Sequence, residues 1–341
     1  MIKFKHLRTK VICLVVGLTC YGAQAGDYSK NPEAQAFIDR MVEEHQFERA
    51  QLQKVIGQAE KKQKILDAIA RPAEKTKPWY EYREIFLGES RIQQGAVFWQ
   101  ENADILQQVS EQYSVDPAII VAIIGVETRY GSYMGNYRVV DALATLGFDY
   151  PPRAKFFASQ LEQFFLLTRE QKQDPLNLMG SYAGAMGYGQ FIPSSYRHYA
   201  RDFDGDGFAD IWQNKKDAIA SVANYFKAHG WQKGGPVVVP ATVSKPLIQG
   251  DVNSDERPSI TLNTWYKKGV KSPQAPKDSN TKAALMEFEQ PGHSEYWLGF
   301  NNFYVITRYN RSRLYALAVW QLSEAIRVAR EQALQQEKLR N

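Results

Sequence analysis

The stretch DPAIIVAIIGVETRYG, residues 116–131, is the most informative part of this chain. Asp116 followed by Pro117 is typical of a helix start, with the acid as N-cap and the proline in the first turn. Gly131 is expected just past the other end of the helix. Because the residues between are apolar on every side, we expect this helix to be buried in a core rather than to lie on a surface.

Glu127 is the exception in this apolar helix. Ile123 and Ile124 precede it by one turn, so they desolvate its carboxyl group and raise the carboxyl pKa. The helix dipole in the last turn disfavours negative charge by about 0.3–1 kcal/mol and acts in the same direction. Cleavage of a glycosidic bond requires a carboxylic acid that is protonated near neutral pH. Taken alone, the helix is equally consistent with two roles for Glu127. It could be a proton donor, or a structural residue paired with Arg129 or with another cation.

The second informative stretch is GAMGYGQFIPSSY, residues 184–196. Three glycines in six residues let the backbone approach a ligand closely. The amide of Gln190 and the hydroxyl of Tyr188 offer the neutral donors and acceptors that sugars need. On its own, a glycine-rich loop that leads into a helix at Pro193 is more often structural.

Together, the two stretches resemble the family of B-type membrane-bound lytic murein transglycosylases, which carry a GVET-type acid motif followed by a GAMG-x-x-QF-x-PSS motif. The resemblance extends from about Phe37 to Leu322 and includes the segments PWYEYR (78–83), SVANY (221–225) and NFYVITRYN (302–310). It implies a lysozyme-like core domain, flanked by a helical domain made from both chain ends and by a small β-rich domain.

The periodicity and the resemblance predict a mainly α protein of the α+β class. The expected segments are a signal peptide at 1–25, a helical domain at 28–107 plus 312–338, a lysozyme-like catalytic core at 108–235 plus 292–311, and a small β-rich domain at 236–291. Within the core, Phe303–Thr307 is expected to be extended, and a final amphipathic helix begins near Leu314.

The first 25 residues have the features of a secretory signal. Basic residues up to Lys10 precede an apolar stretch, and the sequence AQA before Gly26 supplies a cleavage site. The apolar stretch is too short to span a bilayer. We therefore expect export to the periplasm of a Gram-negative bacterium with cleavage after Ala25. The alternative is an outer-membrane lipoprotein anchored through Cys20, although the residues before that cysteine are a poor lipidation signal.

Composition sets broad limits on function. The chain has 341 residues, of which 44% are hydrophobic, so it can bury a large core. The formal net charge of +5 arises mostly from basic residues in the signal segment, and the remainder is close to neutral. A nucleic-acid-binding surface is therefore not indicated. Both cysteines lie in the signal segment, so the mature protein is expected to have no disulfide.

Residues 202–217 contain an EF-hand-like pattern. Oxygen ligands are predicted at Asp202, Asp204, Asp206, the carbonyl of Phe208, and Asp210. Hard oxygen ligands at this spacing favour a structural Ca²⁺. Position 12 is Gln213, which lacks a carboxylate, and the resemblance implies a longer loop that Asp217 closes. The alternative is an Asx-rich turn without a metal. No organic cofactor is indicated.

The resemblance also implies a saccharide groove lined by aromatic and polar residues, since rings pack on pyranose faces and amides hold N-acetyl groups. The candidates are Tyr82, Ser181, Gln190, Phe191, Tyr225, Tyr309 and Asn310. Each of the aromatic candidates could instead be buried in the core. Arg153 matches a family arginine for peptide carboxylates, but Pro152 stands where the family typically has a second arginine.

The matching motifs contain a single candidate catalytic carboxylate. Glycosidases ordinarily use two, whereas here only Glu127 has a recognisable context. The resemblance implies an intramolecular route in a carbon–oxygen lyase acting on a polysaccharide. Glu127 protonates the β-1,4 bond between N-acetylmuramic acid and N-acetylglucosamine, and then, as a base, accepts the proton of the muramyl C6 hydroxyl. A 1,6-anhydro ring results without water.

Two other interpretations stay open. One is a lysozyme-type peptidoglycan hydrolase with the same fold, and the other is a non-catalytic, Ca²⁺-stabilised protein that binds the cell wall. In every case peptidoglycan glycan strands are the expected partner of a monomeric protein, with other cell-wall enzymes as further partners. No nucleic-acid partner is expected.

Overall fold

The computed structural model describes residues 26–70, 77–247, 250–253 and 257–340. The expected signal peptide, its cleavage site and the alternative lipid anchor at Cys20 lie outside the described residues. The helices are α1 Pro32–His45, α2 Arg49–Ile56, α3 Gln63–Ile69, α4 Trp79–Glu84, α5 Glu89–Glu101, α6 Ala103–Tyr113, α7 Pro117–Thr128, α8 Val139–Asp149, α9 Ala154–Glu170, α10 Pro193–Tyr199, α11 Lys215–Ala228, α12 Leu262–Lys267, α13 Asn301–Tyr309 and α14 Arg313–Arg340. The strands are β1 Tyr137–Arg138, β2 Met179–Gly180, β3 Val238–Val243, β4 Ile260–Thr261, β5 Val270–Lys271, β6 Lys282–Gln290 and β7 His293–Gly299.

Helices dominate this architecture, which confirms the predicted mainly α class with a small sheet. Within the described part of the chain, no single helix is long and apolar enough to cross a membrane. Only α6 and α7 taken together reach that length and apolarity, and their axes are bent by 114°.

The largest buried cluster surrounds α7, as the sequence predicted. Every residue from Ile119 to Ile124 is at most 1% exposed, and side chains of α5, α6, α11, α13 and α14 pack around them. Asp116 caps the start of the helix by accepting a 2.9 Å hydrogen bond from the backbone N–H of Ala118. Since each buried aliphatic side chain stabilises the fold by about 1.5–3 kcal/mol, this packing fixes the helix that carries Glu127.

A second buried cluster joins the N-terminal helices to α8 and α9. Asp141 is 1% exposed; it pairs with Arg138 at 2.8 Å and accepts the backbone N–H of Glu60 at 3.0 Å. Tyr28 donates to Asp149 at 2.6 Å. The helices α1 and α3 therefore pack on α8, whereas the sequence grouped them with α5 and α14. Partners so distant in sequence leave no local signal.

Five strands form an antiparallel sheet in the order β4-β6-β7-β3-β5. In the β6–β7 hairpin Leu285 is paired with Leu298, and both side chains join a third buried cluster with Trp265 of α12. The sheet continues to Gly299, past residue 291 where the sequence placed the end of the β-rich domain.

Residues 301–309 form helix α13, so the prediction of an extended Phe303–Thr307 is wrong. The β-branched residues VIT at 305–307 gave the strand signal. Phe303 and Ile306 lie one helical turn apart, and both are fully buried in the cluster around α7. Tertiary packing therefore outweighs local propensity here, and the helix ends at Tyr309, one of the predicted site residues.

Candidate active site

Glu127 lies in the last turn of α7, which ends at Thr128, before the glycine that the sequence suggested. The next two residues, Arg129 and Tyr130, have left-handed backbone conformations with φ of 50° and 59°. The hydroxyl of Thr128 donates to the carbonyl oxygen of Tyr188 at 3.0 Å. The end of α7 is therefore hydrogen-bonded to the glycine-rich stretch.

Tyr315, on α14, donates a hydrogen bond of 2.6 Å from its hydroxyl to Oε1 of Glu127. The phenol is 2% exposed, whereas Glu127 is only partly buried. Burial raises the pKa of Tyr315 well above its ordinary value, and the negative charge of Glu127 adds to the effect. The phenol therefore remains a donor at any pH at which the protein works, and it stabilises a negative charge on Glu127.

Tyr309, the last residue of α13, contacts the glycine-rich loop. Its hydroxyl donates to the carbonyl oxygen of Gly189 at 2.5 Å. Burial raises the pKa of this phenol too, and the charge of Glu127 again contributes. A Cβ atom at position 189 would lie 2.7 Å from the Tyr309 hydroxyl oxygen, so only glycine allows this approach.

Two other predicted residues shape the glycine-rich loop itself. Gln190 has a left-handed φ of 49°, and its amide nitrogen donates to the carbonyl oxygens of Met134 and Gly187 at 3.2 and 3.0 Å. The hydroxyl of Ser181 accepts hydrogen bonds from the backbone N–H groups of residues 183 and 185. These side chains therefore fix the backbone of the loop beside Glu127.

The predicted aromatic residues form a cluster behind this loop. Phe191, Tyr225 and Tyr309 have ring centroids 4.7–6.0 Å apart. Phe191 and Tyr225 are 3% and 7% exposed. Most of the surface of these two side chains is therefore buried in the core, as the alternative interpretation expects. Burial raises the pKa of Tyr225, and its hydroxyl donates to the carbonyl oxygen of Arg308.

Tyr82 and Asn310 lie at the borders of the group. Tyr82 is 2% exposed and its ring contacts Trp79 and Phe86. Asn310 is the C-cap of α13 directly after Tyr309 and is partly buried.

Arg153 lies apart from this group. It is exposed in a short 3-10 helix before α9, and its guanidinium stacks 4.5 Å from the ring of Phe156 and 5.0 Å from that of Phe157. Both rings belong to α9.

Sequence reasoning missed Tyr315. It lies six residues past Tyr309, on the apolar stripe of the final helix, outside the matching motifs. A signal was present, because a tyrosine on a buried helix face needs a partner for its hydroxyl. Nothing in the sequence identified Glu127, 188 residues earlier, as that partner.

The EF-hand-like loop brings together Asp202, Asp204 and Asp217, whose ligand oxygens lie within 4.8 Å of one another. Asp217 is fully buried at the start of α11, where it accepts backbone N–H bonds from Phe203 and Asp210 at 2.8 and 2.9 Å. Burial raises the pKa of Asp217, the two hydrogen bonds oppose this rise, and the charges of the other two carboxylates add to it. A cation would relieve that repulsion.

The remaining predicted ligands are outside this group of three. Asp206 accepts the N–H of Phe208 at 2.9 Å, and Asp210 accepts the N–H groups of residues 212 and 213 at 2.9 Å. Asp202 also accepts the N–H groups of residues 205–207. The loop is therefore shaped by its own carboxylates, and the expectation that Asp217 joins them fits the geometry.

Comparisons with known proteins identify the family of the chain. Residues 29–324 match the family described as the transglycosylase SLT domain. The chain is 46% identical over 320 residues to the membrane-bound lytic murein transglycosylase B of Escherichia coli strain K12, covering 90% of this chain and 86% of that protein. The structure of the Escherichia coli lytic transglycosylase Slt35 in complex with calcium matches with a TM-score of 0.81 and 46% identity, over 90% of this chain and 96% of that one. SltB3 of Pseudomonas aeruginosa in complex with NAG-NAM-pentapeptide matches with a TM-score of 0.77 and 33% identity, over 86% of this chain and 78% of that one.

The chain therefore belongs to the transglycosylase SLT domain family. Its fold is the lysozyme-like fold of lytic transglycosylases, and it is an enzyme of the lyase class that the motifs around Glu127 indicated.

Proposed function

We propose that this enzyme cleaves the β-1,4 bond between N-acetylmuramic acid and N-acetylglucosamine in peptidoglycan without water and leaves 1,6-anhydro ends. The surroundings of Glu127 carry the proposal. For both Tyr309 and Tyr315, the carboxylate that acts on the pKa is Glu127. A retaining glycosidase would place a second carboxylate about 5–5.5 Å away from the first, and an inverting one would place it about 6.5–9.5 Å away. With Glu127 as the single proposed catalytic carboxylate, we propose the intramolecular reaction without water instead.

Glu127 serves in turn as acid and base. As the acid it donates its proton to the glycosidic oxygen, and the leaving sugar departs. The resulting carboxylate is stabilised by the hydrogen bond from Tyr315, since hydrogen bonds to charged acceptors are the stronger ones. The carboxylate then accepts the proton of the C6 hydroxyl as that oxygen attacks the anomeric carbon, so the acid is restored and the ring closes.

Product analysis tests this proposal. Mass spectrometry of purified murein digested by the enzyme is expected to show only non-reducing 1,6-anhydro ends. Reducing muramic acid ends would instead identify a lysozyme-type hydrolase. Binding to sacculi without release of soluble fragments would identify a wall-binding protein.

For substrate contacts, we propose that the loop shaped by Ser181 and Gln190 forms one wall of the saccharide groove. In this proposal Tyr82, Tyr309 and Asn310 also contact the sugars, and Phe191 and Tyr225 support the ring of Tyr309, which both of them contact. The exposed Arg153 is proposed to meet a peptide carboxylate at the edge of the groove. The NAG-NAM-pentapeptide bound by SltB3 supports a glycan strand as the partner of this enzyme.

We also propose a structural Ca²⁺ held by Asp202, Asp204 and Asp217, with Asp206, the Phe208 carbonyl and Asp210 as further predicted ligands. Carboxylate oxygens in this spacing suit a hard cation, and the calcium complex of Slt35 supports the assignment. The ion would stabilise the loop before α11 and takes no part in proton transfer.

For its location, we propose export to the periplasm with cleavage after Ala25. The membrane-bound relative from Escherichia coli supports a cell-wall location and keeps the lipid anchor at Cys20 as the alternative. Mass measurement of the mature N-terminus distinguishes the two.

A further inference from the structure

The turn after α7 holds two strained residues. A left-handed conformation costs a non-glycine residue roughly 1–2 kcal/mol, and such strain persists where surrounding contacts impose it, often at ligand sites. Here Arg129 donates to Gln94 and Ser90 at 2.9 and 3.0 Å, and Tyr130 donates to the carbonyl oxygen of Arg91 at 2.9 Å. Three residues of α5 therefore impose the strained turn.

A cavity of about 460 Å³ lies between α5, this turn and the first residue of α11. Its walls combine the aromatic rings of Phe98 and Tyr130 with the exposed Val97 and with hydroxyl and amide groups. This volume lies within the range of small-ligand pockets, which are roughly 300–1,000 Å³. This combination of apolar and polar lining groups suits a short peptide.

The charged groups of the cavity favour an anion. A guanidinium has five N–H donors, and hydrogen bonds from Arg129 to the described residues use two of them. Lys215 also lines the cavity, 3.6 Å from Glu101. Arg91 lies close by, and the positive charge of Arg129 contributes, after burial, to lowering the pKa of Arg91. The cations therefore outnumber the acid, and a carboxylate is the group that a guanidinium pairs with best.

Glu127 and Arg129 are bonded to different helices at the end of α7. Glu127 is bonded to Tyr315 of α14, whereas Arg129 is bonded to α5. Because Glu127 is not among the residues that line the cavity, a ligand can occupy it without entering the groove where the glycosidic bond is cleaved.

We infer that this cavity binds the carboxylate-bearing peptide that branches from the glycan strand, with a peptide carboxylate on Arg129 and an apolar side chain over Phe98. The inference rests on peptidoglycan as the proposed substrate. It assigns this peptide a site separate from that of the sugars, and the carboxylate proposed for Arg153 is then a different one.

The test uses the mature enzyme and a stem pentapeptide without sugars. Val97→Glu places a negative charge at the wall of the cavity on a residue that is 55% exposed, and the matched control is Val328→Glu on α14, where the residue is 51% exposed. By calorimetry at low salt, the wild type and the control are expected to bind the peptide, and Val97→Glu is expected to bind about tenfold more weakly, a loss of about 1.4 kcal/mol. Amidation of the peptide carboxylates should weaken binding to the wild type similarly.

Equal peptide binding by Val97→Glu and the control, or no binding by the wild type, would overturn the inference. Cleavage of peptide-free glycan strands distinguishes a failure of this inference from a failure of the proposed function. All three proteins are expected to cleave such strands at the same rate. If none of them cleaves any strand, the proposed function fails and takes this inference with it.

Discussion

At the scale of single residues, the proposed chemistry depends on the pair of Glu127 and Tyr315. Glu127 could be singled out as a candidate acid, because a lone carboxylate at the end of an apolar helix is conspicuous in the sequence. Its hydrogen-bond donor was not, because the two residues meet only when α7 and α14 pack together. Local patterns predict a functional group, whereas its partner depends on tertiary contacts.

Tyr315→Phe removes the donor to Glu127 and keeps the ring. A hydrogen bond to a charged group is worth about 1.5–3 kcal/mol, so kcat is expected to fall about tenfold to a hundredfold with little change in melting temperature. The control is Tyr133→Phe at a side chain that is 68% exposed. Steady-state kinetics on purified murein measure the effect. An unchanged kcat in Tyr315→Phe would show that this phenol does not stabilise the carboxylate.

At the scale of elements, the glycine-rich loop contacts the end of α7, and the EF-hand-like loop forms the candidate calcium site. Both loops were visible in the sequence, since turn glycines and alternating carboxylates are local features, whereas their roles were inferred from the family resemblance. The sequence did not predict helix α13, because VIT at 305–307 favours a strand and only packing against α7 and α14 imposes the helix.

Gly189→Ala tests the contact between the glycine-rich loop and α13. The new methyl group would lie 2.7 Å from the Tyr309 hydroxyl and 3.0 Å from Val222, so the tyrosine must move. Overpacking of this kind costs about 1–3 kcal/mol of stability, and activity is expected to fall more than in the control. The control is Gly88→Ala, where a methyl group would meet nothing within 4 Å. If both variants keep full activity, the loop does not need this close approach.

Calcium is expected to raise the melting temperature by several degrees through binding to the folded state, since a ligand at about 100 times its Kd contributes about 2.7 kcal/mol. Asp204→Asn should abolish the increase, and Asp67→Asn, at an exposed site far from the loop, should keep it. Differential scanning calorimetry with calcium and with chelator gives the comparison. Coincident melting curves for the wild type would exclude the site.

At the scale of the whole molecule, the described residues form three buried clusters, and Tyr309 packs against two of them. The mainly α class could be predicted from periodicity and from the family motifs. The packing of α1 and α3 on α8 could not, because it rests on pairs such as Tyr28 with Asp149, which are distant in sequence.

Buried tyrosines make the whole fold sensitive to alkali. Burial raises the pKa of Tyr28, Tyr130, Tyr196 and Tyr225, so they stay neutral in the folded protein where an unfolded phenol, with a pKa of about 10, ionises. A phenol whose pKa is raised in the folded state makes a contribution to the free energy of unfolding that is complete below about pH 10 and is lost as the pH rises further. Urea unfolding at about pH 8 and about pH 11 should therefore show a clear loss of unfolding free energy at the higher pH. Equal values at both would contradict this account of the core.

The most direct test of the central claim is the release of soluble 1,6-anhydro fragments from purified murein by Glu127→Gln, measured by mass spectrometry. The amide is nearly isosteric but neither donates nor accepts the proton, so the variant is expected to keep the fold and the binding to sacculi and to release no fragments. Glu111→Gln, at an exposed position on α6, is the matched control and should release fragments at the wild-type rate. Release of anhydro fragments by a folded Glu127→Gln variant at the rate of this control would show that another group transfers the proton.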